Sequence, residues 1–168
     1  MHNQALVCGG VRGNLGALAL AAVALGAAGS AACADAILFF DPRGTYLHTG
    51  AVDPSQPAVP VSLASLGIFP GDRITLRQLG EFDNGPGTDV FTGMIAVFSS
   101  SPELLGPQLL NRVPGAIDAG VDYNSGPTCP AGEPANIAED FAVSLPGQQI
   151  VEVCVVVPSG ATHLFLSA

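Results

Sequence analysis

Hydrophobic and polar residues along this chain alternate with the two-residue period of β-strands. Arg73 to Leu79 alternates, with Ile74 and Leu76 facing one way and Arg73, Thr75 and Arg77 the other, which predicts a half-buried strand. Ala138 to Leu145 repeats the pattern, with Phe141, Val143 and Leu145 on one face. Met94 to Phe98 is apolar on both faces, as suits a central strand covered on both sides. Ala36 to Phe40 is a short apolar run that the turn Asp41-Pro42-Arg43-Gly44 ends. Val59 to Leu66 predicts another strand, leading into the turn Ile68-Phe69-Pro70-Gly71-Asp72. At the end of the chain, valine-rich Ile150 to Val157, the turn Pro158-Ser159-Gly160 and Ala161 to Leu166 predict a β-hairpin. On its second arm His163 shares a face with Phe165, opposite Leu164 and Leu166.

Helical spacing is not sustained anywhere. Its nearest approach, Pro102 to Leu110, is cut to a turn or two by Gly106 and Pro107. Seven or eight short strands with turn signals between them predict an all-β fold, a single jelly-roll-like β-sandwich. Gly115 to Glu139 carries few strand signals and is expected to be a long loop.

The N-terminus follows a different pattern. MHNQALVCGGVRGN holds one positive charge, Arg12, and no acid; an uncharged run from Leu15 to Gly29 follows, then Ala32-Cys33-Ala34. A basic start, a short apolar stretch and an A-x-A site are what signal peptidase reads. Residues 1–34 are therefore expected to be a signal peptide cleaved between Ala34 and Asp35, and residues 35–168 the β-sandwich domain of an extracellular or periplasmic protein. The apolar run is shorter than the roughly 20 residues that span a bilayer, so no stable membrane span is expected after cleavage. Lipidation at Cys33 is disfavoured, because Ser30-Ala31-Ala32 offers no large aliphatic residue upstream.

Export changes both the charge and the cysteine count. All 14 acids lie from Asp35 onward and Arg12 is the one base lost, so the net charge moves from −9 for the whole chain to −10. Lysine is absent throughout. Such a surface repels phosphate backbones, and nucleic acid is excluded as a partner. Of the four cysteines, Cys129 and Cys154 remain after cleavage. Two cysteines in an oxidising compartment are expected to pair, and closing that loop would contribute roughly 3–4 kcal/mol in the chain-entropy model.

Two oxygen-rich segments are candidate ligand sites. Asp83-Asn84-Gly85-Pro86-Gly87-Thr88-Asp89 has carboxylates at both ends and glycines between. It reads either as a plain turn or as a loop that wraps Ca²⁺, a hard ion taking six to eight oxygens; the spacing is not that of an EF-hand. Asp118, Asp122, Tyr123 and Asn124 form a second cluster, where carboxylates and an amide could take sugar hydroxyls and Tyr123 could stack; exposed loop polarity is the other reading. For catalysis there is little. No G-x-S-x-G surrounds any serine, Ser99-Ser100-Ser101 reads as a turn, no phosphate-cradling glycine loop occurs, and no pair of carboxylates stands out. The protein is not expected to be an enzyme.

Gly71 to Asp89 (GDRITLRQLGEFDNGPGTD) and Val155 to Ala168 (VVVPSGATHLFLSA) resemble segments of bacterial exported proteins with a galactose-binding-like β-sandwich, in the style of calcium-dependent galactophilic lectins. The resemblance implies a sugar-binding sandwich and calcium as its cofactor. In that family an Asp- and Asn-containing loop after the "LFL" strand supplies most of the calcium ligands, and many members end in a Pro-Glu-Pro sorting tail. Ala168 stands where that loop should begin, so no residue here inherits the ligand roles and the sandwich is expected to lack its last strand. The expectation is an exported, non-catalytic binding or surface module with carbohydrate as its candidate partner; the alternative is a structural component of a secreted matrix or cell envelope without a small-molecule ligand.

Overall fold

The computed structural model describes residues 3–9, 35–41, 44–46, 56–79, 93–106, 112–120, 137, 139–144 and 152–167. Among them the chain is all-β, with eleven strands and a single 3₁₀ turn, Ala64–Leu66. The strands are β1 (Asn3–Gly9), β2 (Asp35–Phe40), β3 (Gly44–Thr45), β4 (Gln56–Pro57), β5 (Val61–Ser62), β6 (Arg73–Leu79), β7 (Ile95–Ser99), β8 (Ala116–Ile117), β9 (Phe141–Ala142), β10 (Glu152–Val156) and β11 (His163–Ser167).

One antiparallel sheet runs β10-β6-β1-β2, and a second runs β5-β11-β7-β8, with β9 also paired to β7. Alternation decides which residues meet between them. Ile74 and Leu76 of β6 and Val153 and Val155 of β10 turn inward from the first sheet, while Ala96 and Phe98 of β7 and Leu164 and Leu166 of β11 face them from the second. These side chains share one buried cluster with Met94, Phe141 and Val143, so the two sheets form a sandwich. Phe98 and Phe141 stack in it, ring centroids 5.8 Å apart.

The second sheet is covered on its other face too. Val97 of β7 and Phe165 of β11 point away from the first sheet into a smaller cluster with Tyr46, Ala58, Val113 and Ile137. That explains the unbroken apolar run of β7: both of its faces are buried. The short parallel pair β3–β4 flanks this layer, with Gly44 opposite Gln56.

Inside the sandwich a polar bridge links the sheets. Gln78, the one inward-facing polar residue of β6, is buried, and its side-chain carbonyl accepts a hydrogen bond from the Ser144 hydroxyl. That hydroxyl in turn accepts from the Met94 N–H at 2.8 Å.

Three differences from the sequence pattern stand out. The two C-terminal arms are not a hairpin: β10 pairs with β6 in one sheet, and β11 pairs with β5 and β7 in the other. The turn at Pro158-Ser159-Gly160 therefore arches over the core, because each arm finds its ladder in a different sheet. The expected strand Val59–Leu66 is extended only at Val61–Ser62 before the chain winds into the 3₁₀ turn, which ends at Gly67 in the left-handed region. Asn3–Gly9, which no strand pattern singles out, is a strand between β2 and β6. Its residues are uncharged, and its backbone pairs on both sides.

The turn that closes β7 makes a stability test. Gly115 has φ +70°, and a Cβ there would run into the Ser100 hydroxyl, while Ser100 N–H donates to Gly115 carbonyl at 3.0 Å. Gly115→Ala is expected to cost about 1–3 kcal/mol, read as a lowered urea midpoint with unchanged slope.

Candidate functional site

Three loops meet at one end of the sandwich and enclose an open cleft of about 560 Å³. Pro70 and Gly71 come from the turn before β6, Asp118, Ala119 and Gly120 from the segment after β8, and Val156 to Ser159 from the end of β10 and the arch beyond it.

Each wall is fixed by local chemistry. In the first turn Pro70 presets its own φ, and Gly71 at φ +90° takes the left-handed position that a type II turn needs. Asp72 closes the turn twice: its N–H donates to the Phe69 carbonyl at 3.0 Å, and its carboxylate accepts from the Phe69 N–H at 2.8 Å. The turn is tied to β10 by a reciprocal pair, Gly71 N–H to Val157 carbonyl and Val157 N–H to Asp72 carbonyl, each 2.8 Å. On the second wall Asp118 Oδ1 accepts from the Gly120 N–H at 2.7 Å, an Asx turn that holds the carboxylate at the cleft. Phe69, 44% exposed, precedes Pro70 on the first turn and is not among the residues that line the cleft.

The cleft can take a small polar molecule. It combines one exposed carboxylate, the exposed Ser159, and apolar surface from Pro70, Val156 and Pro158. No nucleophile–base pair lines it among the described residues. Among the described residues no group of three or more His, Cys, Asp or Glu is placed to hold a metal ion. His163, on β11, lies with its Nδ1 2.8 Å from the Thr162 hydroxyl. Ser99 is structural: its buried hydroxyl lies 2.9 Å from the Ser101 carbonyl and 2.7 Å from the Pro114 carbonyl.

Of the residues that the sequence singles out, Asp118 reaches the cleft. Asp83, Asn84, Asp89, Asp122, Tyr123, Asn124 and Cys129 lie outside the described residues, as do Ala34 and His48. Cys154 sits on the solvent side of β10 as a free thiol. Ser159 escapes a reading by composition; its signal is the turn it occupies at the cleft. Sequence reasoning also passes over Arg112. It is 4% exposed, donates from Nε to the Leu105 carbonyl at 3.2 Å, and has an Nη1 with no hydrogen-bond partner. Burial pulls its pKa below the ordinary arginine value.

No family model matches the chain, and no curated protein or solved structure matches it. Among the described residues no helix is long and apolar enough to cross a membrane.

Proposed function

We propose that the protein is an exported, non-catalytic binding module whose ligand is a small polar molecule of the saccharide class, taken in the cleft between the turns at Pro70, Asp118 and Ser159. The observation that carries this reading is the held Asp118 carboxylate facing the apolar surface of Pro70, Val156 and Pro158 in one cleft, the pairing that sugar hydroxyls and the apolar face of a pyranose need. Jelly-roll connectivity and a calcium requirement belong to the same reading and rest on the resemblance to galactose-binding-like sandwiches.

Binding to immobilised glycans, with and without a calcium chelator, tests it. The wild-type protein is expected to retain at least one glycan class. Asp118→Ala is expected to weaken that binding about tenfold, a loss of about 1.4 kcal/mol. Silence on every glycan, or binding untouched by Asp118→Ala, removes the cleft as the site.

A structural role is the second reading, and one observation favours it. Among the described residues β2 ends the first sheet, and its outward Ile37 and Phe39 are 52% and 66% exposed. An edge strand with apolar side chains on its open face is suited to association with other chains. Sedimentation of the purified protein at rising concentration separates the two: concentration-dependent assembly that Phe39→Lys abolishes supports the structural role.

A further inference from the structure

The strand Asn3–Gly9 and the expected leader are the same piece of chain. In the fold β1 is paired along its length on both sides, from Asn3 opposite Phe40 to Cys8 opposite Asp35, and from Gln4 opposite Leu79 to Gly9 opposite Ile74. Among the described residues β1 is the one strand that joins β2 to the sheet, and the two are linked through residues 10–34. The expected cleavage point, Ala34–Asp35, adjoins the first residue of β2, whose backbone is in register with Cys8.

We propose that Asn3–Gly9 is a latch that exists only in the uncleaved chain: folded as β1 it closes the first sheet and withholds the leader from processing, and cleavage removes it. Three steps lead there. Signal peptidase needs its substrate as a free extended segment, and the residue just after the cut is held in a ladder while β1 is in place. The leader cannot serve the membrane and the sheet at once, because the backbone of Asn3–Gly9 has its donors and acceptors committed on both edges. Once cut, β1 is no longer covalently joined to β2, so the effective concentration that kept it in the slot is lost. Among the described residues β2 then has no strand neighbour, and it becomes the least protected of the described strands. The inference rests on the leader reading and is independent of the cleft.

The test uses the full chain and its Val7→Pro variant, which removes one ladder donor from the middle of β1 but leaves Arg12, the apolar run and the Ala32-Cys33-Ala34 site untouched. In the full chain the amides of Asn3–Gly9 and Asp35–Phe40 are expected to exchange with solvent roughly 100-fold more slowly than in the variant, while Arg73–Leu79 and Ile95–Ser99 stay protected in both. Purified signal peptidase in detergent is expected to cut the folded full chain at least about tenfold more slowly than the folded variant, and to cut both at one rate when they are first unfolded. Equal protection of Asp35–Phe40 in the two proteins, or equal cutting of the two folded forms, overturns the latch. If the unfolded chain is not cut after Ala34, the leader reading itself fails and takes the latch with it.

Discussion

Phe98→Ala is expected to cost about 3–5 kcal/mol, a large fraction of the roughly 5–15 kcal/mol that holds a domain folded. Phe98 is fully buried in the middle of β7 and faces the first sheet. Its ring stacks on Phe141 at 27° between planes, and its backbone pairs with both Leu164 and Ile117. Truncation therefore removes the apolar transfer term, leaves a cavity between two sheets held by their ladders, and takes away the stacking partner of Phe141. The ladders limit how far the walls can close, which places the cost in the upper part of the range. Phe98→Leu keeps much of the volume and is expected to cost about 1–2 kcal/mol. Equilibrium urea unfolding of the three proteins, followed by far-UV circular dichroism, reads both values. A Phe98→Ala loss below about 1 kcal/mol would mean that the sheets do not meet at this position.

The sandwich was legible where alternation is long enough to be unambiguous. Ile74 and Leu76 of β6 turn inward as their spacing demands, and β7 is buried on both faces as its unbroken apolar run requires. β10 alternates strictly, with Val153 and Val155 in and Glu152, Cys154 and Val156 out. The two-residue strands β3, β4 and β8 were not legible, because two residues carry no period, whereas β5 and β9 are the short paired parts of the strands expected over Val59–Leu66 and Ala138–Leu145. The C-terminal turn misled for a different reason. Pro158-Ser159-Gly160 specifies a reversal of the chain, and a reversal looks the same locally whether its arms pair with each other or with opposite sheets. The choice is made by β6 and β7, roughly 80 and 60 residues upstream, which take one arm each.

The cleft was half legible for a similar reason. Asp118 stood out as an acid in a polar loop, but its neighbours across the cleft are Pro70 and Pro158, which local patterning assigns to turns and nothing more. Ile68 to Asp72 is a turn by its sequence, which does not say which of its two apolar residues is buried. The Asp72 carboxylate, by accepting from the Phe69 N–H, holds a turn in which Ile68 is buried and Phe69 is not. Which of two adjacent apolar residues faces water depends on that single cap.

Ser144→Ala is expected to cost about 2–3 kcal/mol, more than the loss of one hydroxyl suggests. The Ser144 hydroxyl donates to the Gln78 side-chain carbonyl and accepts from the Met94 N–H, so its removal leaves a buried acceptor and a buried donor unsatisfied at once. Gln78→Leu removes the acceptor and its amide nitrogen, which has no hydrogen-bond partner, and puts an apolar side chain into an apolar layer. Its expected cost is smaller, about 1 kcal/mol, because the hydroxyl it abandons can still reorient while keeping the Met94 bond. The double change is expected to fall short of the sum by about 1 kcal/mol, since the orphaned Gln78 carbonyl no longer exists once leucine replaces it. A double-mutant cycle by urea unfolding measures that difference directly. Strict additivity would show that Gln78 and Ser144 do not share a bond, and that the sheets are held at this point by their apolar contacts alone.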